Sequence, residues 1–137
     1  MKKIIFVFGL LLILLSSCSY KETKTVNASG SDIIIREANY NMIEYGTYKL
    51  KDYDSYYAIL DESTITWVDT KISEEYKMPP YKYYVVSNNA IRVIPVSIHG
   101  EQGQPYIIVF GKDVDGLYLT NEYNVNPQYF YYLVKDL

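Results

Sequence analysis

Tyr83-Tyr84-Val85-Val86-Ser87-Asn88-Asn89-Ala90-Ile91-Arg92-Val93-Ile94 carries the clearest structural signal in the chain. Two runs of aromatic and branched residues, which pack well on a pleated surface, flank a polar turn. Asparagine tolerates the left-handed backbone of a tight turn, so the stretch reads as a β-hairpin. Pro95 follows directly and cannot donate a ladder hydrogen bond. The inward set shifts there from Ile91 and Val93 to Val96 and Ile98, which predicts a bulge or an edge position at Pro95.

The rhythm extends upstream. Ile33-Ile34-Ile35 reads as a first short strand, and Tyr48 and Leu50 alternate with Thr47, Lys49 and Lys51 behind Gly46. Tyr56-Tyr57-Ala58-Ile59-Leu60 and Thr64-Ile65-Thr66-Trp67-Val68 flank the polar Asp61-Glu62-Ser63 as another hairpin. Ile65 and Trp67 share a face, which points the sole tryptophan into the core. The rhythm then breaks over residues 69–80. Ser73-Glu74-Glu75 has the character of a helix start, but Pro79-Pro80 stops any helix, so a loop with one helical turn is expected.

Downstream, Gly100-Glu101-Gln102-Gly103-Gln104-Pro105 is a loop. Tyr106-Ile107-Ile108-Val109-Phe110 is apolar on both faces and belongs in the centre of a sheet. Asp115-Gly116 is a hairpin-turn signal leading to Leu117-Tyr118-Leu119-Thr120, and Tyr129-Phe130-Tyr131-Tyr132-Leu133-Val134 reads as the last strand. About eight or nine short strands joined by short turns make the chain all-β, an antiparallel meander that must close on itself or stack as two sheets. No repeat of a solenoid or propeller is present.

The cadence of Gly46 to Tyr48, Ile65 to Trp67, Tyr83 to Ile94 and Leu117 to Leu119 resembles that of small lipocalin-like up-and-down barrels. That resemblance implies a small antiparallel up-and-down barrel. A β-sandwich gives nearly the same one-dimensional pattern and stands as the alternative.

The first residues have a different logic. Lys2 and Lys3 precede an apolar run from Ile4 to Leu15, the layout of a secretory signal. The run falls short of the ~20 apolar residues of a spanning helix. Leu15-Ser16-Ser17-Cys18 resembles the bacterial lipobox, an aliphatic residue and two small ones before a cysteine. The resemblance implies cleavage between Ser17 and Cys18 and a diacylglycerol on the Cys18 sulfur. Cys18 is the only cysteine, so it has no disulfide partner within the chain. The expected organisation is a signal peptide over 1–17, a lipidated cysteine and flexible polar tether over 18–31, and one β domain over 32–137. Asn27-Ala28-Ser29 matches a glycosylation sequon within that tether and is read as linker. Ser19 is not the aspartate that the lipoprotein family associates with inner-membrane retention. The outer membrane is therefore expected, or the outer face of the cytoplasmic membrane where a cell has only one.

Removing Lys2 and Lys3 from the 13 basic residues leaves 11 against 16 acidic ones, a formal charge of −5. That balance argues against a nucleic-acid footprint and against a polybasic membrane face, leaving attachment to the lipid. Catalysis finds little support. His99 is the only histidine and lies beside Gly100 in a turn, and no Gly-x-Ser-x-Gly elbow occurs. Carboxylate pairs occur at Asp61/Glu62, Glu74/Glu75 and Asp113/Asp115; adjacent residues on a strand point to opposite faces, so sequence proximity alone does not make an acid–base pair. Asp113-Val114-Asp115-Gly116 starts like a calcium loop, but the twelfth position is Asn124 and the flanks are strands. No metal or cofactor is expected apart from the covalent lipid.

Tyrosine is the conspicuous residue, at 17 copies. Clusters lie at Tyr53, Tyr56 and Tyr57, at Tyr81, Tyr83 and Tyr84, and at Tyr129, Tyr131 and Tyr132. An apolar ring with a polar tip suits interfaces and ligand pockets alike. The last two clusters are the candidate interaction or ligand surface. The expected function is a non-enzymatic, lipid-anchored interaction module that meets an envelope protein, as a secretion or pilus accessory or in surface exclusion. The alternative is a lipocalin-like carrier or sensor of a small apolar ligand. A carrier requires an apolar cavity of several hundred Å³ inside the barrel; an interaction module requires an exposed aromatic patch.

Overall fold

A computed structural model describes residues 20–27, 32–73 and 77–134 of the chain, with side chains from Ala38 onward. Strands β1 (Tyr20–Asn27) and β2 (Asp32–Ala38) pair with each other as a two-stranded antiparallel sheet. Eight further strands follow: β3 (Gly46–Leu50), β4 (Tyr56–Leu60), β5 (Thr64–Asp69), β6 (Tyr81–Ser87), β7 (Ala90–Ile94), β8 (Tyr106–Asp113), β9 (Gly116–Asn121) and β10 (Tyr131–Leu133). Each pairs with its neighbour in sequence, and β10 pairs with both β9 and β3, so the sheet closes as an up-and-down barrel. The expected all-β barrel is therefore the fold, and its closure excludes the sandwich. Closure gives every barrel strand a partner on each side, which answers most of the edge problem of a meander.

The barrel is filled. Cross-strand partners share a face, which sends Tyr48, Ala58 and Trp67 inward as one row and Leu60, Ile65 and Tyr81 as another. Tyr48, Leu60, Ile65, Ile91, Phe110 and Leu119 are fully buried. The Tyr48 and Phe110 rings meet edge to face at 5.9 Å between centroids, and the Tyr48 hydroxyl donates to the Glu44 carbonyl at 2.5 Å. An eight-stranded barrel is just wide enough for side chains to fill, and here large rings cross it. Ala90 and Ile107 form a smaller buried cluster with Val86 and Val109. The expectation that Tyr106 to Phe110 is apolar on both faces fits β8, where Ile107 joins this cluster and Ile108 and Phe110 the main core.

One end of the barrel is closed by residues 38–45. Ala38 and Met42 are buried in the core. The β6–β7 turn holds them: the Ala38 N–H donates to Asn88 Oδ1 (3.1 Å) and Asn89 Oδ1 (3.3 Å), Asn88 Nδ2 donates to the Ala38 carbonyl (2.5 Å), and the Met42 N–H donates to the Asn88 carbonyl (2.8 Å). The expected hairpin is present, but neither asparagine uses a left-handed backbone; among the described non-glycine residues only Asp52 has positive φ. A register shift between Val85 and Ser87 shapes the turn instead, and the amides serve as partners for a distant segment.

Other expectations shift. Residues 20–27 lie in the stretch expected as a flexible tether, yet they form β1. Polar residues do not prevent a strand when a neighbour offers a ladder, and Thr25 and Val26 stand opposite Ile34 and Ile33. The Ile33–Ile35 strand thereby belongs to this hairpin and not to the barrel. At Pro95 the strand ends: β7 stops at Ile94, and the Pro95 carbonyl accepts from the Gly103 N–H at 2.9 Å. Ile98 is exposed, so the inward set does not shift onto it. The last strand is shorter than expected because Pro127–Tyr129 forms a 3₁₀ turn, with Asn126 Oδ1 accepting the Gln128 N–H. Ser17, Cys18, Ala28, Ser29, Glu74 and Glu75 lie outside the described residues, and with them the lipobox, most of the sequon and the helix start.

Candidate functional site

The six candidate tyrosines are not brought together. Strand alternation turns Tyr81 and Tyr83 into the core, at 8% and 7% exposure, and the Tyr83 hydroxyl donates to the Asp61 carbonyl (2.5 Å). Neither presents an interaction surface. Tyr84, on the opposite face of β6, is 54% exposed with the Arg92 guanidinium 5.7 Å from its ring. Tyr129 is exposed on the 3₁₀ turn rather than on a strand. Tyr132 faces outward, where its hydroxyl donates to Asp113 Oδ2 (2.7 Å) beside the stacked Tyr118 and Phe130 rings, 4.1 Å apart. Tyr131 faces inward and meets Trp67 edge to face at 5.4 Å.

The cluster that the fold does assemble is the upstream one. The β5–β6 ladder contains only Thr64↔Lys82 and Ile65↔Tyr81. Continuing that register would set Pro80 opposite Thr66 and Pro79 opposite Trp67. Proline has no N–H to donate, so the ladder stops and the incoming chain diverges from β5. An apolar cleft of about 380 Å³ opens at this point. Tyr57, Ile59, Thr66 and Val68 line it from the outer face of the β4–β5 hairpin, and Tyr56, Trp67, Asp69 and Tyr131 from the barrel mouth. Ile72, Lys77 and Met78 of the connecting segment complete it. Ile59, Ile72 and Met78 are all exposed, and Tyr53 extends the surface through an edge contact with Tyr56 at 6.3 Å.

Trp67 is the pivot of the cleft. Its indole Nε1–H donates to the Tyr106 hydroxyl at 2.8 Å. Burial pushes the Tyr106 and Tyr131 phenols above their usual range, against the lowering effect of the Trp67 bond on Tyr106. Both are therefore neutral near pH 7. The wall is apolar and aromatic with few polar groups, the character of a binding surface.

The carboxylates are engaged in turns elsewhere. Asp61 Oδ1 accepts from the Ser63 (2.9 Å) and Thr64 (2.7 Å) N–H groups, which hold its carboxyl below the usual range. Asp113 accepts from the Asp115 N–H at 2.8 Å, and Asp115 pairs with Lys51 at 3.2 Å. His99 is exposed, with its N–H on Ser97 Oγ (3.2 Å). Among the described residues no three His, Cys, Asp or Glu side chains converge as a metal site.

The sequence marked Tyr56 and Tyr57 but missed the cleft. The signal for it in the sequence is Pro79-Pro80, which ends a ladder as well as a helix. Comparison of the chain with family models, with characterised proteins and with solved structures finds no match.

Proposed function

We propose that this chain is a lipid-anchored protein of the bacterial cell envelope, favouring the outer membrane, whose barrel is a non-enzymatic interaction module. The cleft beside β5 is its contact surface, and an envelope protein is its partner. The observation that carries this reading is the cleft itself, an exposed apolar and aromatic surface contiguous from Tyr53 to Met78. Such patches on monomeric proteins mark interaction sites. The lipobox-like Leu15-Ser16-Ser17-Cys18 supports the anchor.

A ligand enclosed at the centre of the barrel would have to displace the packed Tyr48 and Phe110 rings. The cleft volume nonetheless falls in the small-molecule range of ~300–1,000 Å³. That supports a second reading, a sensor with a small apolar ligand bound at the barrel wall rather than a carrier enclosing one.

The test is a photo-reactive amino acid placed at Ile59 in the anchored protein in its own cells, with Val114 in the β8–β9 turn as control. The expected result is a discrete protein adduct from position 59 and none from position 114. A co-purifying small molecule displaced by Ile59→Lys, with no protein adduct, would favour the second reading. Neither outcome would mean that the cleft is not the contact surface.

A further inference from the structure

The cleft has a main-chain component that follows from the phase of the β4–β5 ladder. The Asp61 N–H donates to the Thr64 carbonyl (3.0 Å), and the Thr70 N–H donates to the Ser55 carbonyl (2.9 Å). In an antiparallel pair, bonded positions alternate along each strand. Thr64, Thr66 and Val68 therefore turn their N–H and C=O groups toward β4, whereas Ile65, Trp67 and Asp69 turn theirs away. Ile65 meets Tyr81 across the β6 side, and the Tyr83 N–H reaches the Ser63 carbonyl there at 3.3 Å. Beyond that point, among the described residues, no main-chain bond joins residues 66–69 to residues 78–80. The Asp69 carbonyl is used locally, accepting the Ile72 N–H at 3.2 Å. Among the described residues, the Trp67 N–H and C=O and the Asp69 N–H have no main-chain partner and lie along a short edge of β5.

An independent observation agrees. Thr66, Trp67, Val68 and Asp69, four consecutive strand residues, all line the one cleft. Neighbours on a strand point to opposite faces, so a single cleft touches all four only along the strand's edge.

We propose that the β5 edge at Trp67–Asp69 takes an extended strand from a partner protein, with apolar side chains at alternate positions. The inference rests on the cleft being the contact surface and names what that surface recognises. Donors and acceptors spaced along a strand edge are satisfied by another main chain, the mode of β-strand addition. A small apolar molecule would cover them without bonding to them. The apolar side chains, all on one face of the incoming strand, meet Val68 and Ile59 on the outer face of the hairpin, and the alternate polar ones turn toward the barrel mouth. The open edge is only about three residues long, which protects the free protein from pairing with copies of itself.

The experiment uses the full chain and a panel of capped seven-residue peptides in which valine, leucine or tyrosine alternates with threonine or lysine. Each peptide is also made with N-methyl groups on one or the other alternate set of its amides. Binding is read from the fluorescence of the sole tryptophan and from the Trp67 amide resonance. The expected result is binding that falls at least tenfold on methylating one set and is unchanged on methylating the other, because one edge of the peptide pairs. Ile59→Lys is expected to weaken binding about tenfold without moving the melting temperature. If both methylated forms bind as well as the parent, the cleft takes side chains without strand pairing; the inference fails and the contact-surface reading stands. If no peptide perturbs Trp67, the inference fails and crosslinking from position 59 alone decides that reading.

Discussion

Trp67 on β5 and Tyr106 on β8 are joined across the mouth of the barrel by an indole-to-hydroxyl hydrogen bond of 2.8 Å. The two strands are not neighbours in the sheet, so the bond spans the lumen and fixes the indole that forms the floor of the cleft. Tyr106→Phe keeps the ring and removes the acceptor. The expected cost is about 1 kcal/mol, the usual net worth of such a bond. Chemical denaturation measures it, and the tryptophan emission should report the loosened indole. An unchanged spectrum and stability would mean that the bond does not orient Trp67.

Asn89 makes the closed end of the barrel depend on a residue outside the ladder. Its Oδ1 accepts from the Ala38 N–H and from Ser87 Oγ (3.0 Å), and its backbone carbonyl accepts from the Phe110 N–H (2.7 Å). Asn89→Ala leaves buried donors with fewer partners, at an expected cost of ~1–3 kcal/mol. Amide exchange at Ala38 should accelerate more than exchange at Ile91, since the latter depends on the β6–β7 and β7–β8 ladders.

Gly111 lies beneath the Tyr118 ring, and a Cβ there would collide with the Tyr118 hydroxyl and ring. Gly111→Ala should lift Tyr118 off Phe130, destabilising the protein by ~1–3 kcal/mol as an overpacking change. Near-ultraviolet circular dichroism, sensitive to stacked rings, provides the check.

Alkaline pH should unfold the barrel. Burial raises the phenols of Tyr48, Tyr83 and Tyr106, with Tyr83 pushed up to about 12. A group whose folded pKa lies above its unfolded value of ~10 contributes stability that is complete below pH ~10. That stability is lost as pH rises through the folded value, so the decline should run from about pH 10 to 12. Phenolate absorbance from the buried rings should therefore appear together with loss of circular dichroism. A single smooth titration with structure retained would refute it.

Metabolic labelling with a fatty-acid analogue should mark the wild-type protein and not Cys18→Ala. Equal labelling of the two would remove the anchor from the proposed function.

Much of the barrel was legible because a two-residue period and its interruptions are local properties. The hairpins at Asp61–Ser63 and Ser87–Ala90 and the β8–β9 turn by Asp115-Gly116 needed only neighbouring residues to be read. The inward row of Ile65 and Trp67 was equally local. Other features depended on which chains meet. Asn88 and Asn89 look like turn residues until Ala38 arrives from 50 and 51 residues away. Tyr81 and Tyr83 look like the exposed aromatic pair of a recognition surface until closure turns their face inward.

The sequence by itself determined the strand alternation, the turns, the acidic balance and the lipobox-like segment, because each is encoded in residue type and short spacing. Only the tertiary structure decided that the sheet closes, that its centre is packed with tyrosine and phenylalanine, and that β5 ends its pairing early. Closure depends on β10 finding β3 some eighty residues back along the chain. The cleft depends on Pro79 and Pro80 coming next in the register set by Ile65 and Tyr81, a relation between two strands that neither strand specifies alone.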